Sequence, residues 1–310
     1  MPDFVIRTEN LTCDFAAVRA VDRLSLEIPA GIVFGFLGPN GAGKTTTIRL
    51  LLGLLHPQSG RAEVLGFDTV TQADAIRRQT GALLEHSGLY ERLCAEDNLE
   101  FYGRVWRLPK SERQARIKEL LTNLNLWERR QESAANWSRG MKQKLAVARV
   151  LLHRPRLIFL DEPTAGLDPI AAAALRNDLA ALVAREGVTV FLTTHNLAEA
   201  EKLCGQVGVI QQGKLIALGH PDTLRAKSGS TRAEIIGRGF TESILLTLRT
   251  RPEVATAELT NGRLVLQLNE KTDTAPLITL LVSSGAQIEE VRKGDASLEE
   301  AFLKLVEEEE

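Results

Sequence analysis

Short uninterrupted apolar runs punctuate an otherwise mixed chain, and each of them ends in a polar cluster. Val33 to Phe36 leads into the glycine-rich GPNGAGKTT, and the following TTIRLLLGLL keeps apolar residues at helical spacing until His56, Pro57 and Gly60 break it. The pattern reads strand, loop, helix. Leu157 to Leu160 is a second such run, ending in Asp161 and Glu162, and Val188 to Thr194 is a third, ending in His195 ahead of a polar helix. Short buried strands alternating with helices predict an α/β domain with a mainly parallel sheet that delivers polar residues at the carboxyl ends of its strands.

Between about residues 86 and 155 the pattern is helical throughout, with RQARIKELLTNLNL and KQKLAVARVLL amphipathic on either side of the break SAANWSRGM, which predicts a helical insertion. After Gly219 and Pro221 the composition shifts. A first domain is therefore expected over 1–220 and a second, accessory one over 221–310. The second reads strand (Ala233 to Gly237), helix (Ser243 to Leu248), strand (Glu253 to Leu259), an Asn261-Gly262 turn, strand (Leu264 to Leu268), helix (Pro276 to Ser283) and strand (Gln287 to Val291). That order, βαββαβ, is the small α+β ferredoxin-like plan. SLEEAFLKLVEEEE closes the chain as an amphipathic helix with a solvated acidic end, and no segment repeats another.

Composition narrows the function classes. The 310 residues are 44% apolar and 25% charged with a net charge of −2, ordinary globular material without the basic footprint that nucleic acid requires, so no nucleic-acid partner is expected. Three widely spaced cysteines, Cys13, Cys94 and Cys204, offer neither a disulfide framework nor a zinc motif, and His56, His86, His153 and His220 form no ligand cluster. The start MPDFVIRTEN lacks the features of a signal peptide, and no window approaches the roughly 18 apolar residues of a spanning helix. A cytoplasmic protein, bound to a membrane only through a partner, is the expectation.

Gly38 to Thr45, GPNGAGKT, fits G-x-x-x-x-G-K-[ST] between a predicted strand and helix. Gly38, Gly41 and Gly43, with Pro39, Asn40 and Ala42 between them, would let the backbone amides wrap a polyphosphate at a helix N-terminus. Lys44 would pair with the β and γ phosphates, the Thr45 hydroxyl would ligate magnesium, and Thr46 adds a further polar contact for ATP. Asp161 can hold magnesium while the adjacent Glu162 takes a proton from an attacking water. Acidic helix caps before Pro163 are the competing account of that pair.

DEPTAGLDP, the WSRGM segment some twenty residues before it, and His195 together resemble the nucleotide-binding domain of ATP-binding cassette (ABC) proteins over about residues 4 to 219. The resemblance implies an ATPase that binds Mg-ATP. In it Ser138 donates its hydroxyl and Gly140 its amide to the γ-phosphate bound on the opposite subunit of a head-to-tail homodimer. His195 serves there as the switch histidine and Asp168 links the two sites. Phe15 is the aromatic nearest to where members of the family stack the adenine, and a buried core aromatic is the competing account. Two positions depart from the commonest signature, Arg139 for glycine and Met141 for glutamine. Glu85 stands where the family has a magnesium-reaching glutamine; glutamate keeps the oxygen ligand, loses the amide donors and adds negative charge. Structural readings stand beside these roles: His195 as a strand-end histidine, Asp168 as a cap before Pro169, Glu85 as a solvated loop residue.

The SRGM-type signature and the SLEEAF tail resemble those of drug, antibiotic and sodium exporter ATPases. By that resemblance the expected partner is a separately encoded transmembrane permease, with the chain on the cytoplasmic face of the membrane. The rival readings are a non-transport cassette ATPase acting on nucleic acid or ribosomes, and a regulatory nucleotide-binding module without turnover.

Overall fold

The computed structural model describes residues 4–16, 18–227, 230–260, 262–269, 273–295, 298–299 and 302. The chain divides into two units, Met1–His220 and Pro221–Glu310.

In the first unit, β1 (Phe4–Phe15) and β2 (Val18–Pro29) form a long antiparallel pair, followed by β3 (Val33–Leu37), α1 (Lys44–Leu51), β4 (Ser59–Val64), β5 (Phe67–Asp68), α2 (Ala73–Gln79) and β6 (Thr80–Leu83). The helices α3 (Ala95–Val105), α4 (Lys110–Asn123) and α5 (Arg139–Leu151) come next. They lead to β7 (Leu157–Asp161), α6 (Pro169–Glu186), β8 (Thr189–Thr194), α7 (Leu197–Leu203), β9 (Gln206–Gln211) and β10 (Lys214–Gly219). Six strands assemble in the order β10-β9-β3-β8-β7-β6, parallel except for the β9–β10 pair. Every residue of β3 and β8 is buried, the signature of a sheet covered on both faces. Phe191 on β8 is the centre of an aromatic cluster, its ring 5.4 Å from Phe34 and 5.5 Å from both Phe36 and Phe159.

A second, antiparallel sheet of order β2-β1-β4-β5 packs its apolar face into the same core, where Ile6, Leu11, Leu24, Leu26 and Ile28 are buried. Its strands alternate buried and exposed residues and slip register at several places, which leaves one face to solvent.

The expectation of helix throughout 86–155 needs correction. Residues 84–94 contain no helix, and 124–138 contain only two 3₁₀ turns, Trp127–Arg129 and Ala134–Asn136. The first stretch is held open by fully buried Asn98 on α3, which accepts from Tyr90 N (2.8 Å) and donates to the carbonyls of Tyr90 (3.0 Å) and Cys94 (2.9 Å). An asparagine that supplies both donor and acceptor replaces the helical bonds this loop forgoes. Arg116 on α4, 1% exposed, fixes the insertion to the core: it donates twice to Glu186 at the end of α6 (3.0 and 2.6 Å) and once to Leu151 O (2.9 Å). Removing one partner of such a buried pair costs about 3–5 kcal/mol.

The second unit holds α8 (Pro221–Lys227), β11 (Ser230–Arg238), α9 (Glu242–Arg249), β12 (Val254–Thr260), β13 (Arg263–Asn269), α10 (Ala275–Ser283) and β14 (Gln287–Asp295). Its sheet runs β12-β13-β11-β14, antiparallel at every pair, the ferredoxin-like arrangement expected from the strand order. Leu245 and Leu248 of α9 and Leu277 and Leu281 of α10 close a core with Leu264, Leu266 and Leu268 of β13. Of the expected Asn261-Gly262 turn only Gly262 is described, with φ 77°. The expected closing helix lies almost wholly outside the described residues.

His153, just past α5, stacks on Trp106 with ring centroids 3.8 Å apart, and its Nε2 lies 3.0 Å from Thr80 O. Burial pulls its pKa down from 6.5 to about 4. The unfolded chain therefore takes up a proton that the folded one refuses, and stability present above pH 6.5 is lost as pH falls towards 4. The full effect is on the order of 3 kcal/mol. Melting temperature measured from pH 7.5 to 5 should fall more steeply for the wild type than for His153→Gln; equal slopes would exclude His153 as the sensitive group.

Candidate active site

The loop between β3 and α1 is shaped by its glycines. Gly41 has φ 81° and Gly43 φ 107°, and a Cβ on Gly43 would lie 2.2 Å from Ala20 O, so no other residue fits there. Ala42 N bonds Pro39 O (3.2 Å), and Gly213 N bonds Ala42 O (3.0 Å), which pins the loop to the turn between β9 and β10. Lys44 opens α1 and is 6% exposed. Its Nζ donates to Gly38 O (2.8 Å) and Pro39 O (3.1 Å), and lies 3.2 Å from Glu162 Oε1. Asn40, Gly41, Thr45 and Thr46 line the adjoining cleft of about 470 Å³, together with Asp161 and Glu162.

Strand ends supply the opposite wall. Asp161 closes β7, accepting from Thr45 Oγ1 at Oδ2 (2.7 Å) and from Thr193 Oγ1 at Oδ1 (2.5 Å). Glu162 follows with φ 49°, a left-handed conformation that costs a non-glycine residue roughly 1–3 kcal/mol. Its amide bonds Thr193 Oγ1 (3.0 Å) and its Oε2 meets His195 Nδ1 at 2.5 Å, so one carboxylate joins the lysine to the histidine. Thr45 and Asp161 form a hydroxyl–carboxylate pair on the cleft wall. Two adjacent hard oxygen donors suit a small divalent cation that takes its other ligands from water and phosphate, as magnesium does. Among the described residues no group of three or more His, Cys, Asp or Glu side chains forms a separate metal cage.

The remaining expected residues fall at three places. Ser138 caps α5, accepting from Met141 N (3.3 Å), and Gly140 lies where an added Cβ would come 3.0 Å from Ala171 Cβ of α6. Asp168 caps α6 through Ile170 N (3.0 Å) and Ala171 N (2.9 Å), with Pro169 first in the helix. Glu85 lines the cleft, and its Oε1 accepts from Arg49 Nη2 at 2.9 Å. Phe15 ends β1 and is 47% exposed, which excludes the buried-core reading, but it does not line the cleft.

Sequence reasoning missed several members of this constellation. Arg49 follows Thr45 by four residues and so shares its helix face, the one signal that could have found it. Thr193 lies inside an apolar run and carried none. Arg139, for which the sequence offers no contact, lays its guanidinium against the backbone at Gly166: a Cβ there would be 2.2 Å from Nη1. Tyr90 and Phe101 stack edge to face at 4.8 Å and are 47% and 41% exposed; Val105, one turn beyond Phe101 on α3, is 60% exposed.

A glycine-wrapped lysine at the head of a helix, beside paired carboxylates at the end of the strand two places along the same parallel sheet, defines a phosphate-loop nucleoside triphosphatase. The family profile described as ABC transporter matches residues 21–165. The chain is 35% identical to the daunorubicin resistance ATP-binding protein DrrA3 of Streptomyces coeruleorubidus over 98% of its length and 96% of that protein's. It is 33% identical to the bacitracin transport ATP-binding protein BcrA of Bacillus licheniformis, over 97% of each. Among solved structures, cbiO1 from Clostridium perfringens, described as part of the ABC transporter complex cbiONQ, superposes with a TM-score of 0.68 at 26% identity. That alignment covers 73% of this chain and 92% of the other. The chain belongs to the ABC transporter family, among its ATP-binding subunits, and is an ATPase.

Two substitutions separate the loop's shape from its charge. Lys44→Ala should fold with the loop in place, Gly43→Ala should force the loop away from Ala20, and both should bind a fluorescent ATP analogue at least about 10-fold more weakly than wild type. Unchanged affinity in Lys44→Ala would remove that lysine from phosphate binding.

Proposed function

We propose that this chain is the ATP-hydrolysing engine of an exporter whose transmembrane part is a separate polypeptide, and that it works as a head-to-tail homodimer on the cytoplasmic face of the membrane. The observation that carries the chemistry is the chain of contacts Lys44–Glu162–His195 on the floor of the cleft. Lys44 and the loop amides hold the β and γ phosphates. Magnesium bound with the nucleotide at Thr45 and Asp161 supplies neutralisation of phosphate charge. Glu162 accepts a proton from water as the water oxygen bonds to the γ-phosphorus and the bond to the β–γ bridging oxygen breaks, releasing ADP and phosphate. His195 meets the Glu162 carboxylate through Nδ1, and turning that donor to the γ-phosphate when nucleotide is bound would free Glu162 for the water.

Charge at the head of α5 supports completion of the site by a second copy. The first turn of that helix holds no acidic residue, and Ser138 already caps it. The Arg139 side chain, in that first turn, lies against the backbone at Gly166 and makes no ion pair with a described residue. A positive helix end with spare cationic charge fits the γ-phosphate of a nucleotide held by the partner copy. Asp168 lies at the head of α6, which approaches α5 at Gly140.

The membrane partner follows from the relatives, named for drug resistance and antibiotic transport. Among the described residues no helix is long and apolar enough to cross a membrane. Tyr90, Phe101 and Val105 form an exposed apolar strip that follows the Glu85 loop in sequence, and we assign it to a cytoplasmic segment of the permease.

Glu162→Gln should bind ATP, lose turnover by about 100-fold or more and accumulate as a dimer on size-exclusion chromatography. Trapped with ATP in its native cell and gently solubilised, it should copurify with a stoichiometric polytopic membrane protein, and Phe101→Asp added to the trap should release that protein while ATP stays bound. Recovery with ribosomes or nucleic acid instead would replace the transporter reading with a non-transport one.

A further inference from the structure

Glu162 leaves its strand in a left-handed conformation, so β7 alone does not aim its carboxylate. A backbone held in that region persists only where its surroundings over-determine it. One candidate for that constraint lies behind the Glu162–His195 contact, in a cavity of about 370 Å³. Glu199 on α7 is 8% exposed there. Its Oε2 accepts from Thr164 Oγ1 at 2.6 Å, and its Oε1 accepts from Arg176 Nη1 on α6 at 2.7 Å. Its own amide donates to Asn196 Oδ1 at 3.1 Å, the bond that caps α7.

Thr164 lies two residues after Glu162, within a turn closed by Ala165 N to Glu162 O at 3.0 Å. Asn196 directly follows His195. Glu199 therefore ties together the two backbone segments that carry the base and the histidine, and it does so with a carboxylate whose charge is met by Arg176 inside the fold. Charge-assisted bonds of this length are roughly twice as strong as neutral ones.

We propose that Glu199, acting through Thr164 and held by Arg176, is the positioning residue that sets the Glu162–His195 geometry, and that it acts on turnover without acting on ATP binding. The proposal rests on the assignment of Glu162 and His195 given above. None of the three residues faces the glycine loop: they line the cavity behind the dyad and are absent from the nucleotide cleft. A misplacement of about 1 Å at a reacting group is enough to cost on the order of 100-fold in rate.

The test is steady-state ATP hydrolysis by Thr164→Val, Thr164→Ser and the paired replacement Arg176→Met with Glu199→Leu, which removes both charges together and avoids an uncompensated arginine. Thr164→Val should lower kcat by about 10–100-fold with KM and the affinity for an ATP analogue within about 2-fold of wild type. Thr164→Ser, which keeps the hydroxyl, should restore most of the rate. In the Arg176→Met/Glu199→Leu background Thr164→Val should cost nothing further, since the bond it removes is already gone. Additive losses, or a fall in kcat matched by weaker ATP binding and a lower melting temperature, would mean that Glu199 only stabilises the fold. Glu162→Gln assayed alongside keeps the two readings apart: turnover by that variant sinks the base assignment itself, whereas an inactive Glu162→Gln with an undisturbed Thr164→Val overturns the positioning role alone.

Discussion

A lysine side chain that is only 6% exposed, that of Lys44, sets the terms for the whole cleft. Burying such a charge without partners would cost several kcal/mol. The ammonium has three protons and three acceptors within reach: the carbonyls of Gly38 and Pro39, supplied by a backbone that only glycine at 43 can follow, and the Glu162 carboxylate. Phosphate oxygens would compete with Glu162 for the third place. The contact that completes the ammonium's bonding thus keeps the proposed base beside the position where the γ-phosphate is to be attacked.

Topology brings these groups together. β3, β8 and β7 are neighbours in the sheet and run parallel, so the glycine loop, His195 and the Asp161–Glu162 pair all emerge at one edge. Thr193 on the middle strand bonds Asp161 with its hydroxyl and receives the Glu162 amide, which joins β7 to β8 just where the ladder ends. The separate antiparallel sheet contributes a contact of another kind, since Ala20 on β2 packs against Gly43 and excludes a side chain there.

Legibility followed the physics of each signal. Lys44, Thr45, Asp161 and Glu162 were readable because fully buried strands make unmistakable apolar runs whose ends are abrupt. The βαββαβ unit was readable for the same reason, with hairpin and helix signals in register. β1 and β2 were not: their half-exposed, bulged alternation is diluted by Arg7, Glu9, Arg19 and Glu27 on the solvent face. Residues 86–94 were misread as helix because what opens them is the side chain of a single buried Asn98, whose bonds to the Tyr90 and Cys94 backbone leave no mark in the apolar pattern. Glu199, Thr164 and Arg176 were invisible for a related reason, each looking in sequence like an ordinary surface residue until the fold brings them together around a buried carboxylate.

The departure at Glu85 is resolved by charge rather than by shape. A glutamate in place of glutamine puts an extra negative charge on the wall of a cleft that must accept a polyphosphate, and Coulomb repulsion there would oppose binding. Arg49 stands one turn along α1 from Thr45 and holds Glu85 Oε1 at 2.9 Å, so the pair is locally neutral. Both side chains are well exposed, at 38% and 60%, and an ion pair in that setting contributes little to stability. Its effect is on the field in the cleft and on which way the loop carrying Glu85 faces. α1 carries the phosphate loop at its head and Arg49 one turn later, and the Glu85 loop leads directly to Tyr90 and on to Phe101. Thr45 on the cleft wall and the segment that runs from Glu85 to Tyr90 are thereby joined in the structure by one short helix and one ion pair.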